Sequence, residues 1–179
     1  MLNNNMYVGL MKSICKNHHQ LGLKKYAVFV NGAAPDPNVY LQHMLNKMGT
    51  FSGKFMLIQA IDSGYPTQAD QVIKEARGAF LILENFRSQD ETEHIRVITE
   101  CEQLAEEIIG MLNSFFKKKH PNSRDYWFST NDVSMESVSF IGDNKSGVRV
   151  DFAIRNANSE MLTINEENWV DIEDIGFPL

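Results

Sequence analysis

Between Ile95 and Phe116 apolar residues recur every three or four positions: Ile95, Ile98, Cys101, Ala105, Ile108, Leu112 and Phe115, with Val97, Leu104, Ile109 and Phe116 widening the stripe. That spacing puts one apolar face on an otherwise charged rod and predicts a helix over 88–119. Ser88-Gln89-Asp90-Glu91 reads as its capping box, a hydroxyl taking an early backbone N–H and the Glu reaching back. Lys117-Lys118-Lys119 places positive charge at the carbonyl end of the helix dipole, and Pro121 stops the helix. Such a helix is on the order of 45 Å long, enough to cross a whole sheet. The apolar run Ala79-Phe80-Leu81-Ile82-Leu83 just before it predicts a buried strand.

Upstream, Leu2, Met6, Leu10, Ile14 and Leu21 recur at helical spacing, which predicts a first helix over 4–20 ended by Gly22. Lys25 to Val30 reads as a strand closed by Asn31-Gly32, and Asp36-Pro37 as the start of a short helix with Val39, Leu41, Leu45 and Met48 inward. Phe55 to Ile61 is apolar on both faces, the mark of a central strand. From Asp62 to Arg77 the pattern is weak: Pro66 interrupts it, and Gln68 to Ala76 fits either a short helix or a long excursion. Val133 to Ile141 has strand composition, with a change of parity between Met135 and Val138 that predicts a bulge. After the turn 142–147, Val148, Val150, Phe152 and Ile154 alternate with Arg149, Asp151, Ala153 and Arg155, predicting a hairpin with one wet face. Together these elements give a single α+β domain over 1–155, its antiparallel or mixed sheet of about five strands packed by the long helix and the N-terminal one.

Composition adds limits. The chain has 179 residues, 43% hydrophobic and 22% charged, as expected for one folded domain. No apolar run reaches the ~20 residues of a membrane span, and Met1 to Asn5 lacks the basic-then-apolar pattern of a signal peptide. Cys15 and Cys101 fall on the apolar sides of two predicted helices, where buried free thiols are favoured over a disulfide. A net charge of −6 argues against a dedicated nucleic-acid binder, without excluding a protein that lets nucleic acid pass.

Candidate chemistry is sparse. There is no phosphate-cradling glycine loop or dinucleotide fingerprint, and no cofactor is expected. His18 and His19 diverge on a helix and cannot share a metal. His94 and Cys101, with Glu91 and Glu102, form a weak zinc-like set, outweighed by a core cysteine and a surface histidine. No catalytic residue is assigned. The basic cluster Lys117, Lys118, Lys119, His120 and Arg124 is either dipole complementation or a contact with DNA or an acidic partner. Tyr126-Trp127-Phe128 is either a core anchor or an interface patch. The tail 156–179 ends in an acidic stretch carrying Trp169, Val170, Ile172, Ile175, Phe177 and Leu179. Those residues serve as a last edge strand or as an arm docking on a neighbouring subunit, with Trp169 and Phe177 as aromatic anchors.

The order helix, strand, short helix, two strands, long helix and hairpin resembles the tail terminator and neck (tail-completion) proteins of tailed bacteriophages, particularly those of Bacteroidetes-type hosts. The residues that carry the resemblance are Gly78 to Asn85, Ser88 to Glu93 running into Glu102 to Ile109, and Gly147 to Ile154. The resemblance implies a non-enzymatic virion protein, assembled in the host cytoplasm into a ring, six-fold or a multiple, at the tail or neck. Its partners would be further copies of the chain and tail-tube or neck and portal-adaptor proteins. Genomic DNA would pass through the lumen, with the long helices packed outside; no membrane is implied. The segment 62–77 and the acidic tail depart from the family, and a short-tail barrel is another location for such a ring. A protein-interaction or regulatory domain and a hydrolase using His94 or His120 are the competing classes, since fold alone does not select function.

Overall fold

A computed structural model of the chain describes residues 4–21, 25–29, 45–46, 52–64, 73–86, 90–119, 127–140 and 144–157. The elements are α1 (Asn4–Asn17), β1 (Tyr26–Phe29), β2 (Phe55–Gly64), β3 (Ile73–Asn85), α2 (Glu91–Lys119), β4 (Trp127–Phe128), a 3-10 turn (Thr130–Asp132), β5 (Ser134–Phe140) and β6 (Lys145–Ala157). They form one α+β domain with a mixed sheet, as the pattern predicts. β1 runs parallel to β2, and every other pairing is antiparallel. The order is β1-β2-β3-β6, with β4 and β5 both paired to the far side of β6. Five strands have four or more residues, and the two-residue β4 is a sixth.

Helices α1 and α2 cover one face of the sheet. The main core lies there: Tyr7, Met11 and Cys15 from α1, Val97, Cys101, Leu104, Ala105, Ile108, Leu112 and Phe116 from α2, and Met56, Ile58, Phe80, Ile82, Val148, Val150, Phe152 and Ile154 from the sheet. Leu45, Phe55, Leu57, Leu81 and Leu83 form a smaller cluster on the opposite face. β2 therefore buries both its faces, which is why its sequence lacks alternation. Leu45 is buried, as expected of an inward residue; the remainder of the short helix predicted after Asp36 lies outside the described residues.

The structure corrects four local expectations. On α1 the sheet receives the row Tyr7, Met11 and Cys15, one residue along from Met6, Leu10 and Ile14; Leu10 and Ile14 are half-buried and Met6 is exposed. α1 has adjacent apolar pairs at each turn, and only one row can face the sheet. On α2 the cap is Asp90, whose Oδ1 accepts the Glu93 N–H at 3.0 Å, while its carbonyl accepts the His94 N–H. Ser88 lies outside the described residues. Ile95 stands in solvent, because the stripe that reaches the sheet begins at Val97.

The third and fourth corrections concern strands. β2 and β3 continue into the weakly patterned segment, Asp62 pairing with Arg77 and Gly64 with Glu75, so Ile73 to Ala76 is strand and not helix. The bulge lies in β2, between Gln59 and Asp62; β5 pairs with β6 residue for residue from Ser134 to Phe140. The extra β2 residue switches parity and sends both Ile58 and Ile61 to the helix side. The Asn4 side chain secures this irregular backbone, accepting the Ile61 N–H at 2.7 Å and donating to the Ile61 carbonyl at 3.2 Å. In β5 the parity change reflects two faces: Met135 stands opposite Val150 on the helix side, while Val138 packs on the smaller cluster.

Candidate functional site

Most residues singled out as an interface lie outside the described residues: Tyr126, Trp169, Val170, Ile172, Ile175, Phe177 and Leu179, together with His120 and Arg124. Trp127 falls in β4, paired with Arg155. Its neighbour Phe128 is a core anchor, stacked on Phe116 at 6.1 Å and edge-on to Phe152 at 5.9 Å. Lys117 is exposed in the last turn of α2, which Lys118 and Lys119 complete. Among the described residues no three His, Cys, Asp or Glu side chains group as metal ligands. No described helix is long and apolar enough to cross a membrane.

Both cysteines are buried thiols. Burial pushes the Cys15 thiol up to about 11 and the Cys101 thiol up to about 12, which removes thiolate reactivity at neutral pH. His94 does not turn toward Cys101. Its ring stacks on Phe86 at 4.5 Å, and Nε2 lies 2.9 Å from Ser139 Oγ and 2.6 Å from the buried Ser146 Oγ. A histidine on a serine has the geometry of an activated nucleophile. However, the Ser146 hydroxyl also lies 3.1 Å from the Val138 carbonyl, to which it donates, and its single proton cannot serve both groups. With that proton on Val138, Nε2 donates to a serine and does not act as its base. No described carboxylate forms an ion pair with His94 to fix the ring as a triad acid would. The cluster fastens the start of α2 to the β5–β6 hairpin.

A second group sits at the Lys54 ammonium, 2.7 Å from Glu100 on α2 and 3.3 Å from Glu84 on β3. Burial pulls this lysine down, but the hydrogen bond it donates to Glu100 and the charge of Glu84 hold it above its ordinary value. The Glu84 contact is an attraction without hydrogen-bond alignment, leaving Oε2 unsatisfied. Arg96 completes the chain with a 2.7 Å bond to Glu100. This network ties helix to sheet.

The face away from the helices carries the charged strip expected of β6. Arg149 donates to Asp151 at 2.7 and 2.6 Å. Arg155 joins Asp132, the last residue of the 3-10 turn, to Glu75 on β3, 2.9 Å from Arg155 Nε, and Glu75 also accepts from Arg77 at 2.7 Å. Glu75, Arg77, Asp132, Asp151 and Arg155 line a polar cleft of about 370 Å³. Residues far apart in sequence meet here, with no local motif to announce them. The hydrogen bond from Arg77, reinforced by Arg155, holds the Glu75 carboxyl below the usual carboxylate range. The unfolded chain therefore binds this proton more readily, so the contribution of Glu75 to stability is present above about pH 4.3 and is lost as pH falls through the lower folded value. We expect Glu75→Gln to reduce stability at pH 7 and to flatten its acid dependence. Urea unfolding of both proteins at pH 7 and in the acid range is the check; parallel losses would place the sensitivity elsewhere.

The third feature is apolar. A groove of about 350 Å³ runs between α1 and α2, walled by Leu10, Ile14, Ile108, Met111 and Phe115. His18 and Glu107 close one side through a 2.8 Å hydrogen bond. Here Nε2 donates, because Nδ1 accepts the Gln20 N–H. The groove was not predicted. Its signal was the second apolar row of α1, at Met6, Leu10 and Ile14. When the chain is compared with known proteins, no protein-family model matches it and no curated protein is significantly similar to it.

Proposed function

We propose that this chain is a structural subunit of an oligomeric ring at the tail or neck of a bacteriophage, acting by assembly and not by catalysis. The observation that carries this reading is the division of the sheet into two unlike faces. One is packed by α1 and α2; the other buries the smaller cluster around Leu57 and Leu81 and, beyond it, carries the strip of matched charges around Glu75, Arg77, Asp132, Asp151 and Arg155. This suits the wall of a ring with helices outside and a wet, self-neutralised surface toward a lumen. A surface whose arginines are already paired to carboxylates gives passing DNA little to hold. Tail-tube or neck proteins and further copies of the chain are its partners, and the acidic tail 156–179 acts as the arm between copies.

The reading is tested by the native mass of the purified protein over a concentration series, with negative-stain images of any large species. Closed rings are the expected result. Removal of residues 166–179 is expected to reduce assembly at least about tenfold while circular dichroism stays unchanged, because aromatic anchors carry much of an interface. Normal assembly of the truncated chain would remove the arm. The apolar groove favours one other reading, a protein-interaction domain that receives a partner segment. A monomer or dimer at all concentrations would put that reading first.

A further inference from the structure

Among the described residues no strand pairs with the outer side of β5. Ser134 to Ser137 and Ser139 are exposed, so this margin of the sheet is open to solvent. An open edge offers a row of unused backbone N–H and C=O groups to any chain that arrives extended. Folded proteins commonly guard such edges with lysine, proline or a bulge. β5 has none of the three, and it pairs with β6 in unbroken register.

The surroundings of the edge select the guest. On the helix side Met135 is 39% exposed, and Ile95 on α2 is 67% exposed. Ile95 stands two turns before Glu102, hence on the same face of α2. Glu102 reaches the edge itself, accepting the Ser137 hydroxyl at 3.3 Å. The nearest cation on the helix, Arg96, is held by Glu100 at 2.7 Å. On the other side of the sheet Glu136 is exposed. Arg149 lies opposite it on β6 but is bonded to Asp151, so this stretch stays net negative. Apolar side chains and carboxylates beside an open edge fit an extended segment that is basic and apolar at alternate positions.

We propose that β5 is the docking edge for such a segment of another protein, which adds to the sheet as a further strand. Main-chain hydrogen bonds hold the guest, its apolar side chains lie toward Met135 and Ile95, and its cations face Glu136. Charge turns away the two nearer sources. Residues 158–179 of the chain carry acidic residues and no lysine or arginine. A second copy pairing its own β5 antiparallel about Ser137 would bring Glu102 beside its counterpart. The proposal does not depend on the assembly reading above.

The test is hydrogen–deuterium exchange of the full-length protein, read over β5, with synthetic peptides of about nine residues as probes. A peptide alternating lysine and valine is expected to slow exchange there, and one alternating glutamate and valine to leave it unchanged. The double variant Glu102→Gln with Glu136→Gln is expected to bind the lysine peptide at least about tenfold more weakly, while its exchange elsewhere matches the parent and shows the fold intact. No protection by the lysine peptide would overturn the docking edge, and equal protection by both peptides would overturn its selection by charge. Full protection of the β5 amides without peptide at high dilution would assign the edge to the chain's own residues. Protection that grows with protein concentration alone would assign it to a second copy. Either result overturns the proposal.

Discussion

Replacing Gly147 with alanine is expected to cost at least about 3 kcal/mol, a large share of the stability of an ordinary domain. A Cβ at this position would stand 2.0 Å from the Ile82 carbonyl oxygen and 2.9 Å from its carbon. The obstacle is backbone, not the end of a flexible side chain. It belongs to β3, which pairs with β6 from Ile73↔Ala157 to Asn85↔Lys145 without a break. The strands cannot part at Gly147 without disturbing the neighbouring pairs, because both are interior to the sheet. Urea denaturation followed by circular dichroism measures the loss. A variant within about 1 kcal/mol of the parent, at the same denaturant slope, would show that β3 and β6 do not approach so closely there.

Phe152→Ala is expected to destabilise by about 3–5 kcal/mol. The Phe152 ring is 3% exposed and sits among Tyr7 at 5.9 Å, Phe80 at 6.2 Å and Phe128 at 5.9 Å, so it links α1, β3 and β4 in one aromatic cluster. Those contacts add to the area buried. Phe152→Leu should recover much of the loss, since an aliphatic chain fills part of the volume. The ring also explains Gly78: a Cβ there would meet Phe152 Cζ at 2.7 Å and Cε2 at 2.9 Å. Gly78→Ala should therefore be harmful alone and much milder beside Phe152→Ala, a coupling of about 1 kcal/mol or more in a double-mutant cycle. Additive losses would mean that the ring does not lie over Gly78.

The contrast between these two positions shows what sequence could disclose. Phe152 was legible, because Val148, Val150, Phe152 and Ile154 alternate without exception. α2 was legible for the same reason, its stripe being long enough to outvote the exposed Ile95. Gly147 looked like part of a turn; the closeness of Ile82, sixty-odd residues away, has no local trace. On α1 the periodicity fitted two rows equally well, and only the docked sheet decides between Tyr7-Met11-Cys15 and Met6-Leu10-Ile14. The N-terminal half of β3 hid because Lys74-Glu75-Ala76-Arg77-Gly78 carries small and charged residues on a strand with one wet face. The charged cleft and the His94–Ser139–Ser146 cluster were illegible for another reason: each joins side chains from separate strands or from helix and hairpin. The residues that mark a candidate arm lie outside the described residues, so their part of the reading still rests on composition.

β6 is the last strand among the described residues, yet it holds β3 on one side and β4 and β5 on the other. During synthesis, therefore, the helices and three earlier strands emerge before the strand that joins them to the rest of the sheet. Until Ala157 has left the ribosome, β3 presents an open apolar edge, and the nascent chain depends on dilution or chaperones to keep that edge from pairing with another chain. Large non-local pairing of this kind also slows folding once it begins. A stop codon before Lys145, which removes β6 whole, would thus release a fragment with that edge of β3 unpaired.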